Sequence, residues 1–245
     1  MPTDVSPLSP LRWLRLGWGD LRAHPVPGLV HGALITLFGA ALMALAHDRF
    51  WLLAGAFSGF LIVAPILATG LYAVSRALAT GQRLSLREVV ALWRSGDRRL
   101  VRFGLLLALA GTGWVLTSAG LITLAAPVPI EKPLDFLRVV VLAPQVGLFE
   151  VWLLQGALLA TPVFASTVVA LPMLVDQNVP VHAAVGASWR AVAAHPLALV
   201  IWALLIALLA GLAMVLGLVG LVVVIPWLAH ASWHAYRDLT GRAGS

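Results

Sequence analysis

Apolar runs of about 20 residues, separated by short polar breaks, fill most of the chain after residue 28. A helix of that length crosses the hydrocarbon core of a bilayer. The pattern predicts six spans, at about residues 28–46, 50–75, 103–126, 148–175, 197–216 and 218–236. His47-Asp48-Arg49 makes a tight turn between the first two. The longer segment 127–147, with a short amphipathic piece at 134–141, joins the third to the fourth. Only Gly217 and Gly220 mark the break between the last two.

Three shorter stretches alternate differently. Leu11, Leu14, Trp18 and Leu21 recur at helical spacing, with Arg12, Arg15, Asp20 and Arg22 between them. Ser85-Leu86-Arg87-Glu88 has the form of a capping box, in which hydroxyl and carboxylate each satisfy a free backbone N–H. It opens a helix whose apolar stripe is Leu86, Val89, Val90 and Trp93. Val181, Val185, Trp189 and Val192 form a third stripe. All three predict amphipathic helices lying on a membrane surface. Trp18, Trp93 and Trp189, beside arginines and together with Trp13, are the expected interfacial anchors. Residues 1–10, rich in proline and serine, read as a disordered tail, and residues 11–245 as one membrane domain. Arginines before the first apolar run and Ala44-Leu45-Ala46 after it imitate a signal peptide. The run itself, 19 residues from Gly28 to Ala46, is long for one, and the expectation is a retained span.

The chain also repeats. WGDLRAHP at 18–25 and WRAVAAHP at 189–196 share four of eight positions, and each precedes a span. GFLIVAPILATGLYAVSRAL at 59–78 and GLVVVIPWLAHASWHAYRDL at 220–239 share seven of twenty, including Pro65/Pro226 and Arg76/Arg237. A weaker middle copy places Trp93 and Pro172 at the corresponding points. The fold class that follows is an all-α membrane protein: six transmembrane helices arranged as three parallel-repeat hairpins. Each hairpin follows a cytoplasmic interfacial helix. The units are about 11–78, 85–179 and 181–239.

Composition agrees with a bilayer. Hydrophobic residues make up 61% and charged residues 11% of the 245, with mean hydropathy +0.97. A soluble domain carries roughly 25% charged residues. The net charge of +6 suits a cytoplasmic membrane surface, and no basic-aromatic module points to nucleic acid. With the N-terminus inside, 13 basic residues fall inside and 3 (Arg49, Lys132, Arg138) outside, which places both termini in the cytoplasm. The excess of arginine over lysine, 15 to 1, points to a bacterial source. Without cysteine, disulfides, thiolate metal sites and covalent haem attachment are excluded.

Some residues stand out chemically. Pro65, Pro172 and Pro226 each free the carbonyl four residues back, at Leu61, Val168 and Val222, and are expected to kink their helices. Gly28 with Gly32, and Gly55 with Gly59, allow close helix packing. Glu150 and Gln155 lie in the fourth span and Asp176 ends it, and ionisable groups inside a membrane are candidates for function. His24 and His195 fall at equivalent interface positions. His230 and His234 share a helix face; with His31 they form a candidate polar cluster, hydrogen-bonded together or to Tyr236 and Ser232. Such a cluster suits a lipid phosphate, a proton or, at longer odds, a metal. No nucleophile–base pair, phosphate loop or zinc motif occurs, so no catalytic residue, metal ligand or cofactor is assigned.

The blocks GWGDLRAHPVPGLVHGAL, SGFLIVAPILATGLYAVSRAL, FASTVVALPMLVDQNV and HASWHAYRDL resemble the bacterial family called domain of unknown function 2189. The resemblance spans about residues 12–239 and implies an integral membrane protein. Some members are labelled as subunits of cytochrome c oxidase. Three histidines able to face the membrane interior and no cysteine are too few for a catalytic or copper subunit. The expected function is therefore a non-catalytic inner-membrane protein that acts by binding: an accessory, assembly or lipid-contacting factor. Its expected partners are the bilayer and another membrane complex. The alternatives are a small transporter or channel, then an accessory subunit beside a respiratory oxidase.

Overall fold

Proline sets where two of the long helices begin. Its missing N–H costs nothing in the first helical turn. In the computed structural model helix α1 (Ser9–Ala23) stops at His24, and α2 (Pro25–Ala46) starts at once on Pro25. The same junction recurs near the other end of the chain, where α9 (Val181–Ala194) stops at His195 and α10 (Pro196–Val215) starts on Pro196. His24 N–H bonds the Asp20 carbonyl at 3.0 Å, and His195 N–H bonds the Ala191 carbonyl at 2.9 Å. The repeated Ala-His-Pro sequence thus builds the same corner twice.

The structure describes residues 5–46, 48, 51, 55, 68–94, 96–143 and 147–242. The remaining helices are α3 (Thr69–Ala79), α4 (Leu86–Arg94), α5 (Arg98–Ala125), α6 (Pro133–Phe136), α7 (Leu148–Thr167), α8 (Ala170–Asp176) and α11 (Leu221–Leu239). A π-helical turn, Leu137–Val141, follows α6, and no strand occurs among the described residues. Four helices are long and apolar enough to cross a membrane: Pro25–Leu45, Arg98–Ala125, Leu148–Asp176 and Pro196–Val215. The expected second span, 50–75, lies mostly outside the described residues. The expected sixth is α11, which is helical over 19 residues but carries two histidines, Arg237 and Asp238. Gly217, with φ +74°, and Leu218, with φ +68°, turn the chain between α10 and α11, as the two glycine markers suggested.

Two compact units divide the chain. One comprises Met1–Leu37, Pro65–Phe103 and Phe164–Ser245; the other comprises Phe38–Ala64 and Gly104–Val163. In the first unit α3, α8 and α11 pack against one another. Each also takes one further helix: α3 takes α4, α8 takes α9, and α11 takes α1. Outward faces are apolar. On α10, Leu197, Val200, Leu204, Leu208 and Leu212 are all exposed, a stripe that suits lipid. In the second unit Ile122, Ile130 and Val140 are buried with Phe136, Phe149 and Trp152 around them. There the Trp152 indole N–H donates to Ser118 Oγ at 2.6 Å.

The amphipathic helices are rotated from the expected stripes. On α1 the buried face is Trp13, Leu14, Gly17 and Leu21, while Leu11 and Trp18 are 54% and 39% exposed. On α9 it is Ala184, Ser188 and Ala191, while Trp189 is 47% exposed. Small residues explain the rotation. A Cβ on Gly17 would lie 2.7 Å from Ala231 Cα on α11, so only glycine permits this approach. Trp13 is therefore a core residue and not an interfacial anchor: it is fully buried, edge-on to Trp202 at 5.7 Å. On α4, Val89 is buried and Val90 exposed. The capping box forms, with Ser85 N–H and Oγ each 2.7 Å from Glu88 Oε2, and these bonds hold the Glu88 carboxyl below its ordinary pKa.

Proline has different effects at its three expected kinks. Pro65 lies outside the described residues. At Pro172 the helix is interrupted over Val168 and Val169, between α7 and α8. The Val169 N–H that loses its helical partner donates to Ser188 Oγ at 3.1 Å. At Pro226 the helix continues, and the Val222 turn below it faces Gly32. A Cβ on Gly32 would lie 2.7 Å from Val222 Cα, and one on Gly28 3.0 Å from Pro226 Cβ. The Gly28/Gly32 pair thus seats α2 on the proline turn of α11. Gly59 of the second small-residue pair lies outside the described residues.

These contacts predict opposite outcomes for two neighbouring glycines. Gly17→Ala forces α1 off α11 and costs about 1–3 kcal/mol. Gly19→Ala, with nothing within 4 Å of the new Cβ, gains about 0.5–1 kcal/mol of helix propensity. Thermal unfolding in detergent measures both.

Candidate functional site

The first unit gathers its buried polar side chains where α1, α3 and α11 meet. Asp20 sits on the α1 face turned toward α11, because Gly17 one turn earlier brings the two helices together. Its Oδ2 accepts two bonds, from Ser75 Oγ of α3 at 2.7 Å and from His234 Nε2 of α11 at 2.9 Å. Ser75 Oγ also lies 2.7 Å from His230 Nδ1. The side chains of Asp20 and His234 remain 18% and 20% exposed. Ser75 is 1% exposed and His230 fully buried.

Counting protons fixes the direction of each bond. A carboxylate only accepts, so Ser75 spends its single proton on Asp20. Its oxygen must then accept from His230, which places a proton on His230 Nδ1. The sequence runs His230 Nδ1–H to Ser75, Ser75 O–H to Asp20, and His234 Nε2–H to Asp20. A neutral His230 therefore has a bare Nε2, which is buried and without a hydrogen-bond partner.

His31 repeats the pattern on α2. Its Nδ1 donates to the Pro27 carbonyl at 2.6 Å, one turn back. Its Nε2 is buried and also unpartnered, 3.3 Å from where a Cβ on Gly70 would stand. The ring lies edge-on to Trp93 at 4.8 Å, and the Trp93 indole N–H likewise lacks a partner.

The expected cluster is thus partly assembled. His234 bonds Asp20 directly and His230 reaches it through Ser75, while His31 bonds its own helix at the Pro27 carbonyl. The expected partners Tyr236 and Ser232 are not the histidines' partners. Tyr236 donates to Asp176 Oδ2 at 2.6 Å, and Ser232 donates to the Leu228 carbonyl at 2.8 Å. A helix-face count places Ser232 and Tyr236 near the histidines on one helix. It carries no information about α1 and α3, which supply the real partners. Asp20 left one signal, as the single acidic residue between Val5 and Ala46.

Other singled-out residues serve helix ends. Glu150 accepts the Gly147 N–H at 2.8 Å and caps the start of its own helix. Asp176 pairs with Tyr236 and, at 3.3 Å, with Arg242. Arg76 donates to the Val175 carbonyl at 2.6 Å, and Arg99 to the Gln177 carbonyl at 2.8 Å, closing the end of α8. Asp238 accepts from Arg12 and, at 2.5 Å, from the Trp13 indole. Trp18 lies edge-on to Trp227 at 5.3 Å, and Trp189 donates to Ser166 at 3.0 Å, each keeping an exposed side. Trp93 turns inward to His31.

The model of a family described as predicted integral membrane proteins, domain of unknown function 2189, matches residues 52–176. The chain belongs to this family. No curated protein and no solved structure matches it. Within the family match lie Ser75 and Trp93; Asp20, His31, His230 and His234 fall on either side of it. This member of the family therefore completes its polar site with segments outside the matched stretch.

Ser75 joins the two sides of that site. Ser75→Ala leaves the His230 N–H without an acceptor and Asp20 short of a donor. The expected loss is about 1–3 kcal/mol, read from the thermal midpoint of the detergent-solubilised protein.

Proposed function

We propose that this protein is a non-catalytic bacterial inner-membrane protein that binds anionic lipid headgroups at its cytoplasmic surface. It would act as an accessory or assembly factor for another membrane complex. One observation carries this reading. Arg83, Arg87, Arg94, Arg98 and Arg102 are exposed along α4 and the start of α5. The acidic residues nearby are already engaged, Glu88 by Ser85 and Asp97 by Arg99. Val90, Leu92 and Val101 are exposed among the arginines. Guanidinium groups beside exposed aliphatic side chains match the boundary between phosphate and acyl chain.

The same reading takes six spans in three parallel hairpins, with both termini inside. The cyclic pairing of α3 with α4, α8 with α9 and α11 with α1 supports three equivalent units. So do the matched His-Pro corners and the small residues Gly17 and Ser188, each buried just before an exposed tryptophan.

Lipid retention tests the binding. Each arginine near an anionic surface contributes about 1 kcal/mol, or about fivefold in affinity. Replacing Arg87, Arg94 and Arg98 by Gln is expected to weaken retention of phosphatidylglycerol about a hundredfold in competition with phosphatidylcholine, measured by mass spectrometry of protein released from mixed vesicles. Equal retention by the variant and the parent would sink the proposal.

Labelling tests the topology. The chain has no cysteine, so single introduced cysteines report cleanly. Cysteines replacing Gln82 and Glu131 are expected to react from opposite sides of the membrane, with Gln82 on the cytoplasmic side. Reaction from the same side would refute the six-span arrangement.

A further inference from the structure

We propose that His230 is a buried proton relay, which takes a proton on Nε2 from the interior of the first unit and releases the one on Nδ1 through Ser75 to Asp20. This is an activity beyond lipid contact, and it does not depend on that reading.

The geometry supplies an acceptor, a donor, a path and an outlet. The acceptor is the bare Nε2 of His230, buried and without a partner. The donor is Nδ1–H on the opposite side of the ring. The path outward is two bonds of 2.7 Å, His230 to Ser75 and Ser75 to Asp20. The outlet is the Asp20 carboxylate, 18% exposed and steadied by His234. Every member comes from a different place in the chain, on α1, α3 and α11, so the path exists only in the folded unit.

The step balances without a redox partner. A proton of water or of a bound N–H or O–H group forms the Nε2–H bond. The Nδ1–H bond breaks as Ser75 Oγ takes that proton. Ser75 gives its original proton to Asp20 Oδ2, and Asp20 loses it to water. The chain is left with reversed polarity: Ser75 now donates to Nδ1. Passage of a proton in the other direction restores it.

The surroundings bear on the charge that forms. Asp20 is the anion facing His230; His24 between α1 and α2, His31 from α2 and His234 from α11 are the groups that oppose it when protonated. His24 Nε2 is held at 2.7 Å by the Leu84 carbonyl, and His31 Nδ1 by that of Pro27. Gly28 and Gly70 stand beside the bare nitrogens of His230 and His31, where a Cβ would lie 3.6 Å from the first and 3.3 Å from the second; Leu21 and Pro226 already pack at Gly28, and Val89 and Trp93 at Gly70. His31 Nε2 and His230 Nε2 are both bare and buried. Their second-shell bonds also resemble those of metal-bound histidines, so the test must tell a proton from a metal.

Nitrogen-15 NMR of the full chain in lipid nanodiscs makes that distinction, because bare, protonated and metal-bound imidazole nitrogens differ in shift. His230 is assigned by the signal lost in His230→Gln. Should that variant not fold, single replacements of the other histidines assign it by elimination. The protein is titrated from about pH 8 to about pH 4, bracketing the ordinary histidine range. At the high end Nδ1 is expected protonated and Nε2 bare; acid is expected to add a proton at Nε2. Asp20→Asn removes the facing anion and is expected to move that titration about one unit lower. Ser75→Ala is expected to slow exchange of the Nδ1 proton with heavy water about a hundredfold. The proposal is overturned by an Nε2–H at high pH, by a metal-bound shift, by no protonation before unfolding, or by unchanged exchange in Ser75→Ala. The wild-type titration alone decides if a variant fails to fold.

Discussion

The close approach of α1 to α11 is the contact on which the first unit depends. It rests on one missing side chain, at Gly17, opposite the backbone of Ala231. Because the helices touch there, α1 can bury Trp13 and deliver it to Asp238 on α11, and the Trp227 indole can reach the Leu14 carbonyl at 2.7 Å. An indole bonded to a carboxylate in a dry setting contributes about 1.5–3 kcal/mol. The accompanying Arg12 is 36% exposed, and its ion pair adds little on its own. The same approach carries Asp20 to Ser75 and His234. A larger residue at position 17 would separate the first helix from the last and empty the polar site together.

Polar residues on α11 explain why it differs from the other long helices. Polar groups removed from water gain from partners inside the protein. On α11, His230, Trp233, Tyr236 and Asp238 all lie on the inner faces. Asp238 is met by α1, His230 Nδ1 by α3, and Tyr236 by Asp176 and Gln177 at the end of α8, while the Trp233 indole N–H is buried without a partner. A helix that faces protein on most sides can carry such residues and lose hydropathy. Helix α10, which turns a row of leucine and valine outward, cannot.

Much of this was legible in the sequence where the signal was local. The helix-starting prolines, the Ser85–Glu88 box and the glycine turn at 217 depend on neighbours a few residues apart. The structure reproduces each of them. Periodicity puts Leu14, Leu21 and Val89 on membrane-facing stripes, whereas the structure buries all three within the protein. It failed at Trp13 and Gly17, since an apolar stripe is assigned by hydrophobicity, whereas the packed face was chosen by size. It also failed for the site. His230 and His234 were visible as an i,i+4 pair, but Ser75 and Asp20 are 155 and 214 residues away from their histidines. No local pattern encodes that separation; the return of the last helix to the first does.

The polar site can be asked why it is built as a chain and not as a closed set of pairs. A purely structural solution would leave no polar atom over: Asp20 needs donors, and Ser75 and His234 supply them. His230 is then superfluous, since Ser75 already has an acceptor for its proton. Adding His230 satisfies one more lone pair on Ser75 but brings a bare nitrogen into the interior. That orphan costs about 1–3 kcal/mol. An apolar residue of similar volume would avoid it, as Ala231 and Ala235 do beside it. His31 presents the same imbalance, with one nitrogen served by its own helix and the other left open. The indoles of Trp93, Trp202 and Trp233 are orphaned in the same unit, but they are donors only; the two open imidazole nitrogens are bases. They are what a site needs if its open nitrogens are to be filled from time to time.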